Sequence, residues 1–181
     1  VTFALMIQFT AVLYILVNHW GLRLAMITLG IVAVITWGIE GFGSATGFPF
    51  GGYDYTTLLQ PQIGHVPLLI PFAWFMMLPS SWAIAHILTK SRKHTVYYPA
   101  LYIAVSALAM TAWDLFLDPQ MVAWGFWEWD VSGAYFGIPL VNYAGWLLTG
   151  VIVTAVIRPY KKTLPIAPLI VIYAAVWFLQ S

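Results

Sequence analysis

Long apolar runs alternate along the chain with short clusters of charge and with two longer aromatic stretches. A transmembrane helix needs about 20 mostly apolar residues. On this criterion we predict helices at residues 2–17, 23–39, 66–89, 97–116, 138–157 and 164–180. We expect the aromatic stretches 40–65 and 117–137 to be long non-helical loops. The pattern therefore predicts an all-α polytopic membrane helix bundle with about six transmembrane helices.

Composition supports one membrane domain. Of the 181 residues, 62% are hydrophobic and 7% are charged, whereas soluble domains carry roughly 25% charged residues. We expect a single transmembrane domain over residues 1–181, truncated at its N-terminus because Val1 is not a methionine. The absence of cysteine excludes disulfides, thiolate metal sites and a cysteine nucleophile, and the net charge of +1 argues against a nucleic-acid partner.

Charge divides between the two ends of the predicted helices. The seven basic residues fall at one end: Arg23, Lys90, Arg92, Lys93, Arg158, Lys161 and Lys162. The six acids fall at the other: Glu40, Asp54, Asp114, Asp118, Glu128 and Asp130. The positive-inside rule places the basic loops in the cytoplasm. We therefore expect an inner-membrane protein whose two aromatic loops, with every carboxylate, lie on the non-cytoplasmic side.

Three of the acids are candidate catalytic groups. Asp114 and Asp118 are four residues apart and share one helix face, and Glu40 ends its predicted helix before a glycine-rich bend. A carboxylate at membrane depth costs several kcal/mol unless it is paired or protonated. We expect burial and like charge to leave a proton on at least one of them near neutral pH. Asp114 is our first candidate for a general acid, with Glu40 and Asp118 as partners that favour its protonation or activate water.

The other acids have a simpler interpretation. Asp54, Glu128 and Asp130 are equally well explained as solvated charges at the rim. The histidines, His19, His65, His86 and His94, are too scattered for a di-iron site, although His65 lies on the acidic side. The run GFGSATG lacks the ending of a phosphate loop, and no span carries a central lysine for a retinal Schiff base. We therefore expect neither a metal nor a cofactor.

Aromatic rings surround the candidate acids. The run from Trp113 to Asp130, WDLFLDPQMVAWGFWEWD, holds four of the six carboxylates and four of the ten tryptophans. Tryptophan at a membrane end is usually an interfacial belt, and that interpretation competes for Trp124, Trp127 and Trp129. A proton donor beside electron-rich ring faces also suits carbocation chemistry, because cation–π attraction stabilises the cation.

Four blocks of sequence carry a family resemblance. They are EGFGSATGFPFGGYDY (40–55), VPLLIPFAWFMM (66–77), AWDLFLDPQMVAWGFWEW (112–129) and GIPLVNYAGW (137–146). Together they resemble the integral-membrane carotenoid biosynthesis family of the bisanhydrobacterioruberin hydratase and gamma-carotene (lycopene) hydratase type. The resemblance implies addition of water across the terminal isopropylidene double bond of an acyclic carotenoid, without a cofactor. Candidate substrate-binding residues are Trp113, Tyr53, Tyr55, Trp124, Trp127, Asn142 and Trp146.

Alternatives remain at this stage. A carotenoid cyclase would use the same protonation, but an internal double bond would capture the cation. A non-enzymatic carotenoid-binding subunit of a pigment–protein complex would bind carotenoid without changing it. Asn142 either orients the attacking water or makes an ordinary helix cap or interhelical hydrogen bond. In each case the expected partners are an acyclic carotenoid and the lipid bilayer, with other carotenoid enzymes or a pigment–protein complex as further ones.

Overall fold

The structure is a computed structural model that describes residues 2–180, with side chains to residue 178. Its helices are α1 (Thr2–Trp20), α2 (Leu22–Thr46), α3 (Ile70–Thr89), α4 (Tyr98–Ala123), α5 (Leu140–Ile157) and α6 (Ile166–Gln180). Within the described residues, the five helices α1 to α5 are long and apolar enough to cross a membrane. The sixth, α6, is a shorter apolar helix. The predicted all-α polytopic bundle is confirmed.

Helices α2 and α4 run about two turns further than predicted, so the expected loop starts at residues 40 and 117 were wrong. α2 continues past Glu40 and ends only at Gly47, whose left-handed backbone (φ 77°) directs its N–H to the carbonyl of Gly43. α4 continues through Pro119 to Ala123. A proline inside a helix leaves the carbonyl four residues earlier without its donor. Here that carbonyl belongs to Leu115, and the Tyr135 hydroxyl donates to it at 3.2 Å, so the helix tolerates the proline.

The third helix begins later than predicted and lies at the centre of the bundle. The predicted start at residue 66 was wrong because Val66–Pro67 (β3) pairs with Gln62–Ile63 (β2) in a small hairpin before α3. α3 packs against α1, α2, α4 and α6, and most of its residues are buried. α4 and α5 form the other close pair. A side chain added at Gly150 of α5 would meet the Ala107 backbone of α4 at 3.1 Å, the small-residue contact that lets membrane helices approach closely.

The two aromatic loops meet in a two-stranded antiparallel sheet. Tyr53–Tyr55 (β1) pairs with Trp127–Trp129 (β4), in the register Tyr53–Trp129, Asp54–Glu128 and Tyr55–Trp127. Side chains alternate between the two faces of a strand. The four aromatic rings therefore face the bundle, while Asp54 and Glu128 are exposed. We call strands β1 and β4 the aromatic cap.

The opposite end of the bundle carries the basic residues. Loops after α1, α3 and α5 meet there: the Trp20 indole donates to the Thr163 carbonyl at 2.6 Å, and the Lys162 ammonium lies 5.1 Å from the Trp20 ring centre. At the same end, the Tyr98 ring packs against that of Tyr160. The bundle thus has an acidic end under the aromatic cap and a basic end opposite. Which end faces the cytoplasm stays a prediction.

Candidate active site

Glu40 is held by three hydrogen-bond donors. α2 places it about two turns before the helix end, where its side chain is only 4% exposed. Its Oε2 accepts from the hydroxyls of Tyr53 at 2.6 Å and Tyr55 at 3.0 Å, and its Oε1 accepts from the Trp74 indole at 3.1 Å. A carboxylate has lone pairs for all three donors. The aromatic cap and α3 therefore fix Glu40 in one position.

Burial and the neighbouring carboxylate also act on the two tyrosines. Desolvation, followed by the charge of Glu40, raises the pKa of Tyr53 and of Tyr55 above the usual value for tyrosine. Both hydroxyls therefore stay protonated at any physiological pH, and each remains a hydrogen-bond donor to Glu40.

Asp114 and Asp118 form a pair of carboxyl groups on one face of α4. Both are fully buried. The side-chain amide of Asn142, in the first turn of α5, donates to Oδ2 of both aspartates. The distance from its nitrogen to Oδ2 of Asp114 is 3.3 Å. Oδ1 of Asp118 accepts from the Trp127 indole of the cap at 2.6 Å. Oδ1 of Asp114, by contrast, has no hydrogen-bond partner among the described residues.

A small cavity lies beneath the aromatic cap, between Glu40 and the carboxyl pair. Its volume is about 70 Å³, which is enough for more than one water molecule, since one needs roughly 10–15 Å³ on this measure. Its polar wall consists of Glu40, Asp118, Asn142, Tyr53 and Tyr55. Its aromatic wall consists of Phe50, Trp74, Trp113, Trp127, Trp129 and Trp146. The side toward α1 and the start of α3 is aliphatic.

Three tryptophans form a continuous ring surface in this cavity. The indoles of Trp74 and Trp146 stack at 4.2 Å with an interplanar angle of 19°. Trp113 meets Trp146 edge-on at 6.1 Å. Stacked and edge-to-face contacts are favourable beyond their buried area, so these rings hold fixed orientations. They present electron-rich faces next to carboxyl groups.

Most predicted site residues converge on this cavity. The structure brings together Glu40, Asp118, Tyr53, Tyr55, Trp113, Trp127, Asn142 and Trp146. Asp114 is buried beside them but does not line the cavity. Trp124 does not line the cavity: the residue is 52% exposed, because α4 ends there and the chain turns at Gly125. Its role in substrate binding stays a prediction. His65 is exposed in the β2–β3 hairpin.

Sequence reasoning missed Trp74, Trp129 and Phe50. Trp74 carried a usable signal, because it lies in the second turn of an apolar helix, and a buried indole N–H usually finds an acceptor. The pattern around Trp129 left an interfacial belt and a ring at the site equally open, so Trp129 was not among the predicted site residues. Phe50 lies in a loop with no pattern, and its position depends on the glycines it packs against.

Among the described residues, no basic side chain is a hydrogen-bond partner of Glu40, Asp114 or Asp118. Across residues 2–180, no group of three or more histidine, aspartate or glutamate side chains is arranged to hold a metal ion. Uncompensated buried carboxyl groups next to one another share protons, since like charges at close range cannot both ionise freely. The arrangement can therefore donate a proton into an apolar, aromatic cavity.

Comparison with known proteins decides the family. The family model described as carotenoid biosynthesis protein matches residues 1–176. The chain belongs to this carotenoid biosynthesis family. A bisanhydrobacterioruberin hydratase from Haloarcula japonica is 32% identical over 151 residues, which is 82% of this chain and 48% of the relative. The chain thus spans about half the length of that curated relative. No solved structure matches it at a significant level.

The family assignment agrees with the resemblance carried by the four sequence blocks. The match to the carotenoid biosynthesis family covers every helix that builds the cavity. Glu40, the Asp114–Asp118 pair and the aromatic cap all lie within it.

Proposed function

We propose that this member of the carotenoid biosynthesis family is a hydratase, a hydro-lyase that adds water to the terminal isopropylidene double bond of an acyclic carotenoid. The observation that carries the proposal is the cavity itself, where Asp118 and Glu40 face a wall of tryptophan rings. The hydratase named among its relatives supports the reaction class. Among the described residues that line the cavity there is no lysine, arginine or histidine.

Asp118 is the proton donor in this proposal. The sequence pointed first to Asp114, but only Asp118 of the pair lines the cavity. Asp114 acts indirectly, because the Asn142 amide binds both aspartates. Two buried carboxyl groups beside the same donor titrate together and hold one proton between them. Asp118 gives this proton to the less substituted carbon of the double bond. The π electrons form the new C–H bond and leave a tertiary cation at the other carbon.

The cavity walls stabilise the cation. The faces of Trp74, Trp113 and Trp146 offer cation–π attraction, which is worth about 2 kcal/mol or more at a desolvated site. Glu40 adds a fixed negative charge nearby, held by its three donors. Preorganised charge of this kind costs no reorganisation as the cation develops.

Water then captures the cation. Its oxygen forms the new C–O bond, and one of its protons passes to Glu40, leaving a neutral tertiary alcohol. The indole N–H groups of Trp113 and Trp129, both on cavity-lining residues, have no acceptor in the described chain and are free to bind the water. The reaction is redox-neutral: one proton leaves Asp118 and one arrives at Glu40.

The orientation in the membrane follows from charge. We propose that the basic end faces the cytoplasm and the aromatic cap faces outward, because basic loops are retained inside. The carotenoid reaches the cavity from the bilayer, where it is dissolved.

The test is the carotenoid profile of cells that make acyclic carotenoids, with and without this chain. Bisanhydrobacterioruberin, named for the relative, is one substrate to supply. A hydratase yields products heavier by one water for each reacted end. A cyclised product of unchanged mass would identify a cyclase. Unchanged carotenoid that copurifies with the protein would identify a binding subunit. The Asp118→Asn variant is the negative control, and Asp54→Asn, an exposed aspartate on β1, is its matched positive control.

A further inference from the structure

Oδ1 of Asp114 and the hydroxyl of Tyr143 are buried polar atoms that have no partner in the described chain. The Asp114 side chain is 0% exposed, and Tyr143 is 8% exposed. A buried polar group without a hydrogen bond costs roughly 1–3 kcal/mol. One of these atoms is an acceptor and the other is both donor and acceptor. Such groups are usually satisfied by a buried water molecule.

The two atoms lie on facing helices. Tyr143 directly follows Asn142 on α5, and the Asn142 amide bonds Asp114 on α4. Tyr143 also contacts the ring of Tyr135, whose hydroxyl bonds the Leu115 carbonyl beside Asp114, so its side chain lies at the same level of α4. A single water with bonds to the hydroxyl and to Oδ1 of Asp114 would satisfy both atoms.

Tyr143 also lies on the side of the carboxyl pair that faces the protein surface. Its ring packs edge-on against Tyr135 at 5.7 Å, and the Tyr135 hydroxyl donates to the Leu115 carbonyl, next to Asp114 in the chain. Tyr135 is half-buried, and its neighbour Phe136 is 72% exposed. Tyr143 therefore lies between the carboxyl pair and the surface of the loop after the aromatic cap.

We propose that the Tyr143 hydroxyl and Asp114 bind a water molecule that connects the Asp114–Asp118 pair to the aqueous face at the cap. This inference rests on the proposed hydration reaction and gives it a reset step. Each turnover leaves Asp118 without its proton and Glu40 with an extra one. The pair regains a proton through the water at Tyr143, and Glu40 releases the one that it gained, so no net proton is consumed. Tyr143 is a positioning residue, since it touches no substrate.

The test is the exchange of the carboxyl proton, which needs no turnover. The purified protein is moved from H₂O to D₂O while the infrared carbonyl band of its protonated carboxylic acids is followed. Asp114→Asn identifies the band of the pair. In Tyr143→Phe we expect that band to remain, which shows that the pair is folded and protonated. The exchange of the carboxyl proton for deuterium should slow by about tenfold, because removing one hydrogen bond from the path raises the barrier by about the amount that gives a tenfold change in rate.

The matched control is Tyr173→Phe. This hydroxyl also contacts α4, at the Ala109 carbonyl, so exchange of the band should keep its wild-type rate. Wild-type exchange in Tyr143→Phe, or the absence of any band sensitive to Asp114→Asn, would overturn the proposal. If the wild-type chain makes no hydrated carotenoid but Tyr143→Phe still slows exchange, the water site stands and the proposed reaction fails. If hydrated carotenoid forms but Tyr143→Phe leaves exchange unchanged, the reaction stands and the water site fails.

Discussion

The indole nitrogen of Trp74 donates a 3.1 Å hydrogen bond to Oε1 of Glu40, and the same indole stacks on Trp146 at 4.2 Å. One side chain thus joins the polar wall of the cavity to its aromatic wall. It also ties α3 to α2 and α5, the helices that carry those two partners. The orientation of the rings and the position of the carboxylate are fixed together.

Trp74→Phe should separate these two roles. Phenylalanine keeps a ring for stacking but removes the donor to Glu40, and a hydrogen bond to a charged group contributes about 1.5–3 kcal/mol. We expect turnover to fall about tenfold or more and thermal unfolding in detergent to occur at a lower temperature. Trp20→Phe, which loses an indole bond at the basic end, should leave turnover unchanged. Equal turnover in the Trp74 variant and wild type would show that the hydrogen bond from Trp74 to Glu40 does not contribute to catalysis.

Asp118→Asn tests the proton donor. Asparagine has nearly the same shape but cannot donate a carboxyl proton, and a general acid contributes about 10²–10⁴-fold. Turnover should fall by about that factor, while membrane level and bound carotenoid persist. Asp114→Asn should also lower turnover, because the pair then no longer shares a proton. Asp54→Asn should have wild-type turnover. Loss of the Asp118 variant from the membrane would indicate that Asp118 has a structural role. A stable variant with wild-type turnover would show that Glu40 or Asp114 is the proton donor instead.

Phe50 is held between glycines of two helices, and this gives a packing prediction. A side chain at Gly145 of α5 would lie 2.5 Å from the Phe50 ring and 2.9 Å from the Pro49 carbonyl, and one at Gly43 of α2 would lie 2.7 Å from the same ring. Gly145→Ala should destabilise the fold by about 1–3 kcal/mol through overpacking.

The same change should also lower turnover, because Phe50 lines the cavity. Gly38→Ala, where nothing lies within 4 Å, is the matched control. It should be neutral or stabilising by up to about 1 kcal/mol. Thermal unfolding of both variants measures the difference. A Gly145 variant as stable as the Gly38 variant would show that Phe50 moves aside freely.

The sequence predicted the bundle well because hydrophobic length is a strong signal in membranes. The gathering of the acids at one end of the helices and the four-residue spacing of Asp114 and Asp118 predicted that Glu40 lies near this pair. The sequence misjudged the ends of α2 and α4, because those ends depend on tertiary contacts: Tyr135 supplies the donor for Leu115 that lets α4 pass Pro119. The pairing of β1 with β4 joins residues about 75 positions apart in the sequence, and no local pattern encodes such a contact.

Topology can be measured directly because the chain has no cysteine. Lys161→Cys and Glu128→Cys both place a thiol at an exposed position, one at the basic end and one on the cap. An impermeant thiol reagent added to intact cells should label Glu128→Cys only. The reverse pattern would overturn the orientation but leave the bundle intact. Labelling of both after permeabilisation shows that each thiol is reactive.

Metal removal tests the acid mechanism. Hydrated product should form at the same rate after treatment with a strong chelator, without oxygen and without a nicotinamide. The proposed chemistry needs only carboxyl groups and water, whereas carboxylates can also hold Mg²⁺ through waters. Activity lost on chelation and restored by one divalent ion would contradict this mechanism.

The pairing of β1 with β4 also constrains how the protein is made. The two strands flank α3 and α4, so they can meet only if those helices cross the membrane as a pair, in opposite directions. Glu40 is synthesised early, yet two of its donors sit on β1, a strand that has no partner until β4 emerges past α4. A nascent chain arrested before residue 127 would therefore hold every helix of α1 to α4 but no closed cavity. The cavity is complete only when α5 has also been delivered, because Asn142 and Trp146 of that helix line it.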